Sequence, residues 1–145
     1  MLVIREMVLF VFLGWEMIED LRYRMIRMDV VMIFGVLGVV FRIVEKILVD
    51  RSLLWSVLPG LILLFIGKVT KHTIGEGDGW IFLVNGLYLD GLTNGKLCYL
   101  SFCLVTLWGI VQSTACKIKN KSCKMEYPFV PFVFLAFLVV LIWGG

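Results

Sequence analysis

The chain has 145 residues, 61% of them hydrophobic and only 17% charged, with a net charge of +3 and a mean hydropathy of +0.98. A water-soluble domain of this length cannot cover so much apolar surface with so few charges, so an ordinary soluble globule is excluded and lipid is the expected solvent. The small net charge gives no basis for nucleic-acid binding. Four cysteines without a CxxC pair, with the single histidine His72, make no zinc-ligand set and imply no disulfide.

Apolar runs fall at about 2–19, 29–49, 52–69, 79–92, 97–116 and 128–144, separated by charged or glycine-rich breaks. Crossing a ~30 Å hydrocarbon core takes ~20 helical residues. Unpaired backbone cannot face lipid. The pattern therefore predicts an all-α polytopic membrane protein, with six transmembrane helices in one domain over residues 1–145. The first run lacks a basic start and ends in Glu19-Asp20, not in a small-residue cleavage site, so it is expected to stay as a span.

Asp29 is placed to cap the second helix. Gly35 and Gly38 within it form a small-residue patch suited to close helix packing. Lys68 and Lys71, at the end of the third run, are suited to snorkel to an interface. The fourth run is short: the fourteen residues from Gly79 to Leu92 reach only ~21 Å as a helix. Cys98 and Cys103 read as apolar residues of the fifth helix. Trp55, Trp80, Trp108 and Trp143 read as interface or packing aromatics. The last run opens at Pro128 and Pro131, where a proline in a first helical turn costs little.

Basic residues set the expected orientation. The first, third and fifth breaks hold Arg22, Arg24, Arg27, Lys68, Lys71, Lys117, Lys119, Lys121 and Lys124, against Arg5, Arg42, Lys46, Arg51 and Lys96 elsewhere. Nine of the fourteen basic residues on one side mark that side as cytoplasmic and put both termini outside.

Acids at a membrane face are expensive, which makes Asp20 and Asp78 candidate functional residues. Both belong to the cytoplasmic side in this topology, Asp20 closing the first span and Asp78 opening the fourth within Gly75-Glu76-Gly77-Asp78-Gly79. Gly77 and Gly79 remove side-chain bulk and permit turn dihedrals, and an Asp beginning a helix is favoured as an N-cap. Two carboxyls sharing one proton can activate water and protonate a leaving amine, without metal, cofactor or covalent nucleophile. Asp20 sits at a helix C-terminus, where the dipole disfavours a carboxylate, and Asp78 at an N-terminus, where it is favoured. A shared proton is thus expected to rest mainly on Asp20, unless Arg22 and Arg24 fold back toward it. Glu19 is the nearest rival to Asp20, about 100° away around the helix. Glu16, one turn earlier, is expected to face the interior, and Glu76 and His72 to be solvated.

The GxGD at Gly75–Asp78 and the earlier Asp20-Leu21-Arg22-Tyr23-Arg24-Met25-Ile26 resemble motifs of the prepilin peptidases, the type IV leader peptidases to which archaeal preflagellin peptidases are related. The opening of the last run, Tyr127-Pro128-Phe129-Val130-Pro131-Phe132, is similar to the start of that family's final helix. The resemblance implies a GxGD aspartic endopeptidase of the cell membrane that removes the short basic leader of pilin-like precursors at the cytoplasmic face. Asp20 and Asp78 take the catalytic positions. Gly75, Gly77 and Gly79 shape the turn of the second acid. A broken helix start at Pro128 and Pro131 would offer backbone for a substrate to pair with. The CxxC-bearing segment of larger members is missing from this sequence, which implies peptidase without methyltransferase activity.

Two alternatives stand beside this reading. One is a GxGD protease acting on other membrane substrates, as in presenilin-type enzymes, although their Pro-Ala-Leu motif is absent from this sequence. The other is a non-catalytic membrane scaffold or a small proton-coupled carrier. The spacing sets no oligomeric state.

Overall fold

The computed structural model describes residues 2–45, 51–70, 76–118 and 127–144. Among them are six helices and no strand: α1 (Leu2–Tyr23), α2 (Met28–Val44), α3 (Arg51–Val69), α4 (Glu76–Tyr88), α5 (Gly91–Ile118) and α6 (Val130–Gly144). Two of these, α3 with 19 residues and α5 with 28, are long and apolar enough to cross a membrane. Met7, Phe10 and Trp15 on α1, Met32 and Val36 on α2 and Phe65 on α3 all point outward. The bundle therefore wears apolar side chains on its outside as well as within.

The short helix α4 is the core of the molecule. Ile81, Phe82, Val84, Leu87 and Tyr88 are buried along it, against Leu9, Phe12 and Leu13 of α1, Leu63 of α3 and Val133 and Phe137 of α6. Small residues bring its neighbours close. A Cβ on Gly38 of α2 would stand 2.8 Å from the Leu87 Cβ. One on Gly79 would stand 2.7 Å from the Leu64 Cγ of α3, and Gly60 and Gly86 pack the same α3–α4 seam. The small-residue patch on the second helix is thus a packing surface for the fourth.

Polar groups inside the bundle hold α4 along its second half and at its C-terminal end. Arg42, only 4% exposed, donates from Nε to Leu87 O at 2.8 Å and from one terminal nitrogen to Gly86 O and Leu89 O, each at 3.0 Å. These are carbonyls that the end of a helix leaves without partners, and a guanidinium also complements the negative end of the helix dipole. Asn94 of α5 donates to Ser56 O at 2.6 Å and Phe82 O at 3.1 Å, linking α3, α4 and α5. The Tyr88 hydroxyl donates to Phe34 O of α2 at 2.6 Å.

Several boundaries differ from the hydrophobic runs, and the local chemistry explains why. The fourth helix begins at Glu76, not Gly79, and stops at Tyr88. Asp90 then caps α5, its Oδ2 accepting the Thr93 N–H at 3.1 Å, so the fifth helix takes in the polar stretch 91–96 ahead of its apolar run. The second helix is capped by Arg27 without a side-chain bond. Asp29 lies in the first turn instead of at the cap, paired with Arg27 at 3.7 Å. Cys98 and Cys103 of α5 are free and half-buried, but Cys116 is disulfide-bonded, against the expectation of none. Without a CxxC pair the spacing carried no signal for it. The expectations for Gly75, Lys71, His72, Lys119, Lys121 and Lys124 fall outside the described residues.

Candidate active site

Asp20 lies in the last turn of α1. That helix ends because Arg24 adopts a left-handed conformation (φ 52°) and its N–H bonds back to Asp20 O at 3.0 Å. A non-glycine residue pays roughly 1–2 kcal/mol for this geometry. The turn sends the chain under the bundle through Met25, Ile26 and Arg27. Glu16, one turn before Asp20 and 0% exposed, accepts the Arg27 N–H on Oε2 at 3.3 Å and so holds this connection from inside. Ile26 packs on Gly77, where a Cβ would stand 2.5 Å from the Ile26 Cδ1. The α1–α2 connection and the opening turn of α4 are thereby fitted to one another.

Asp78 is the third residue of α4, half-buried and within electrostatic reach of Asp20. The fold brings the two acids together from helices whose sequence positions lie far apart. Two details of the expected turn are corrected. Asp78 is inside the first helical turn and is not the N-cap. Gly77 and Gly79 are helical, and no glycine among the described residues has a positive φ. Their small size is used for contact with Ile26 and Leu64, not for turn dihedrals.

The environment of Asp20 also differs from the dipole argument. Its side chain, 7% exposed, meets the start of α6, where Oδ2 accepts the Val130 N–H at 2.9 Å. The Phe129 backbone N–H faces the same carboxyl, and the Arg24 charge is within reach. Although α1 presents its C-terminal end to Asp20, α6 presents its N-terminal end, so the premise that helix ends disfavour a charge on Asp20 does not hold. Pro128 precedes α6 and Pro131 is its second residue. The Val130 donor between them is engaged by Asp20 and is not open to an incoming strand.

The neighbouring acids are sorted by the same geometry. Glu19 pairs with Arg27, with 3.7 Å between Oε1 and the guanidinium. Glu76 begins α4 and is half-buried. Among the described residues no group of three or more His, Cys, Asp or Glu side chains is arranged to hold a metal ion. The arrangement can supply two carboxyls at one place, one of them gripped by backbone donors. Reading the sequence alone missed that grip, the Arg42 clamp and the partner of Glu16. The signal for the first was present: two prolines three residues apart at a helix start leave few backbone donors, and those few need an acceptor.

No family model, curated protein or solved structure matches the chain. Among the described residues the chain is an all-helical bundle with two helices long and apolar enough to span a membrane, in which Asp20 of α1 meets the start of α6 and lies within electrostatic reach of Asp78 on α4.

Proposed function

We propose that the chain is a membrane-embedded aspartic endopeptidase of the prepilin peptidase kind. In this reading six helices cross the cell membrane, the acids face the cytoplasm, both termini lie outside, and the substrate is a pilin-like precursor carrying a short basic leader. The observation that carries the reading is the approach of Asp78 to Asp20, two acids on separate helices with no structural partner in each other. Like charges within electrostatic reach of one another, in surroundings that water reaches poorly, favour a state in which one acid is ionised and the other neutral.

The chemistry follows from that state. Water attacks the scissile carbonyl carbon and loses a proton to the ionised carboxylate, while the neutral carboxyl protonates the carbonyl oxygen. As the tetrahedral intermediate collapses, the first acid passes its new proton to the leaving nitrogen. The second recovers a proton from the hydroxyl, so the pair returns to its starting state. No metal or cofactor takes part in this scheme.

The test is cleavage of a candidate precursor in membranes by wild type, Asp20→Asn and Asp78→Asn, with insertion of each protein verified. Wild type should release the leader and neither variant should. Leader release by either properly inserted variant would make that acid structural and return the scaffold or carrier reading to the front.

A further inference from the structure

A second approach in the site is that of the α6 N-terminus to Asp20. The N-terminus of α6 is unusual in what it leaves exposed. Pro128 and Pro131 carry no N–H. The Phe132 and Val133 N–H groups both turn to Phe129 O, at 3.0 and 3.3 Å. The donors that remain at this end are those of Phe129 and Val130, and both face the Asp20 carboxyl, Val130 at 2.9 Å. Asp78 has Asp20 as its charged neighbour, and no bond from a backbone or side-chain donor to it is seen among the described residues.

We propose that the Pro128–Pro131 segment is a cradle for the Asp20 carboxylate, making Asp20 the ionised member of the pair that receives the proton of water and Asp78 the neutral member that protonates the substrate. Phe129 and Val130 are then positioning residues acting through Asp20, and the two prolines serve by clearing competing donors from the helix start. This reverses the assignment that the ends of α1 and α4 alone would suggest. Its physical ground is that hydrogen bonds donated to a carboxylate favour its charged form, as does a helix N-terminus. The other charges around Asp20 do not overturn it. Arg24, at the end of α1, favours the charge; Glu16 on α1 and Asp78 on α4 oppose it. No charged side chain lies on α6.

The catalytic meaning rests on the peptidase reading, but the cradle does not, so two readouts separate them. Val130 is replaced by its α-hydroxy acid analogue through nonsense suppression, which exchanges the amide for an ester and deletes the N–H while keeping the isopropyl side chain. Val130→Ala, which keeps the N–H, is the packing control. The full chain is labelled with carboxyl-13C aspartate in micelles, and the two signals are identified by their loss in Asp20→Asn and Asp78→Asn. Site-resolved signals are needed because such a pair titrates as a unit.

The expected result is that Asp20 ionises at lower pH than Asp78 in the wild type. The ester should move Asp20 upward by about one pH unit, and Val130→Ala should leave it in place. In cleavage assays the ester should lower kcat about tenfold with KM unchanged, the equivalent of one such unit in free energy. A wild type in which Asp78 ionises first, or an ester that leaves the Asp20 titration unmoved, overturns the proposal. Titrations as expected from a protein that cuts no pilin-like precursor would uphold the cradle and sink the peptidase reading alone.

Discussion

Replacing Arg42 is the sharpest test of how the fold holds the helix that carries Asp78. The guanidinium is buried at 4% exposure and donates to the carbonyls of Gly86, Leu87 and Leu89 at 2.8 to 3.0 Å. Hydrogen bonds from a charged donor are worth about 1.5–3 kcal/mol each, and a buried acceptor stripped of its donor carries its own penalty of about 1–3 kcal/mol. The three contacts share one side chain and are not additive. Removing the desolvated charge also relieves a cost, so the net loss for Arg42→Met is expected at about 3 kcal/mol. Arg42→Lys keeps the charge but not the planar fork, and should recover about half of that. The assay is reversible unfolding in mixed micelles by added denaturing detergent, followed by the fluorescence of the five tryptophans. A loss below about 1 kcal/mol for Arg42→Met would refute the reasoning, because it would mean that those carbonyls find other partners at little cost.

Other substitutions probe the packing and the chemistry. Gly79→Ala places a Cβ 2.7 Å from Leu64 Cγ and 2.9 Å from the Leu64 backbone nitrogen, and should destabilise by about 1–3 kcal/mol in the same assay. Gly109→Ala, with nothing within 4 Å of the new Cβ, should be neutral or stabilise by up to about 1 kcal/mol. Asn94→Leu strips the Ser56 and Phe82 carbonyls of their bridge and should cost about 1–3 kcal/mol. The pH profile of kcat/KM should be bell-shaped, falling on the acid side as Asp20 takes up a proton and on the alkaline side as Asp78 loses its own. A profile that stays flat on both the acid and the alkaline side would argue against a two-acid site.

Helices were legible in the sequence because apolar runs broken by charge and glycine leave few other structures for backbone in such a chain. Their ends were less legible. The hydrophobic runs left 93–96 as a polar break and gave 91–92 to the fourth run, yet Asp90 caps the whole stretch 91–96 into the fifth helix; an N-cap several residues ahead of an apolar run is invisible to hydropathy. Asp20 and Asp78 stood out because charge is scarce here, and the structure puts them within electrostatic reach of one another. The carboxyl's second partner was not legible from α1 and α4, because it comes from residue 130, far along the chain, through a backbone N–H that has no letter in the sequence. Arg42 was counted only as a charge for orientation. Its work is done on carbonyls at the end of α4 and just beyond it, which likewise leave no trace in residue identity. Gly77 and Gly79 were singled out correctly as places of close approach, but the approaching groups are Ile26 and Leu64 of the chain itself.

On the proposed reading, two acids from α1 and α4 act as one site. A double-mutant comparison of leader cleavage tests it most directly: wild type, Asp20→Asn, Asp78→Asn and the doubly substituted chain, at matched amounts of inserted protein. Residues that act as a unit are strongly non-additive, so each single variant should fall to background and the double variant no further. Measurable cleavage in either single variant, with a further multiplicative loss in the double, would show two acids working independently and contradict the account.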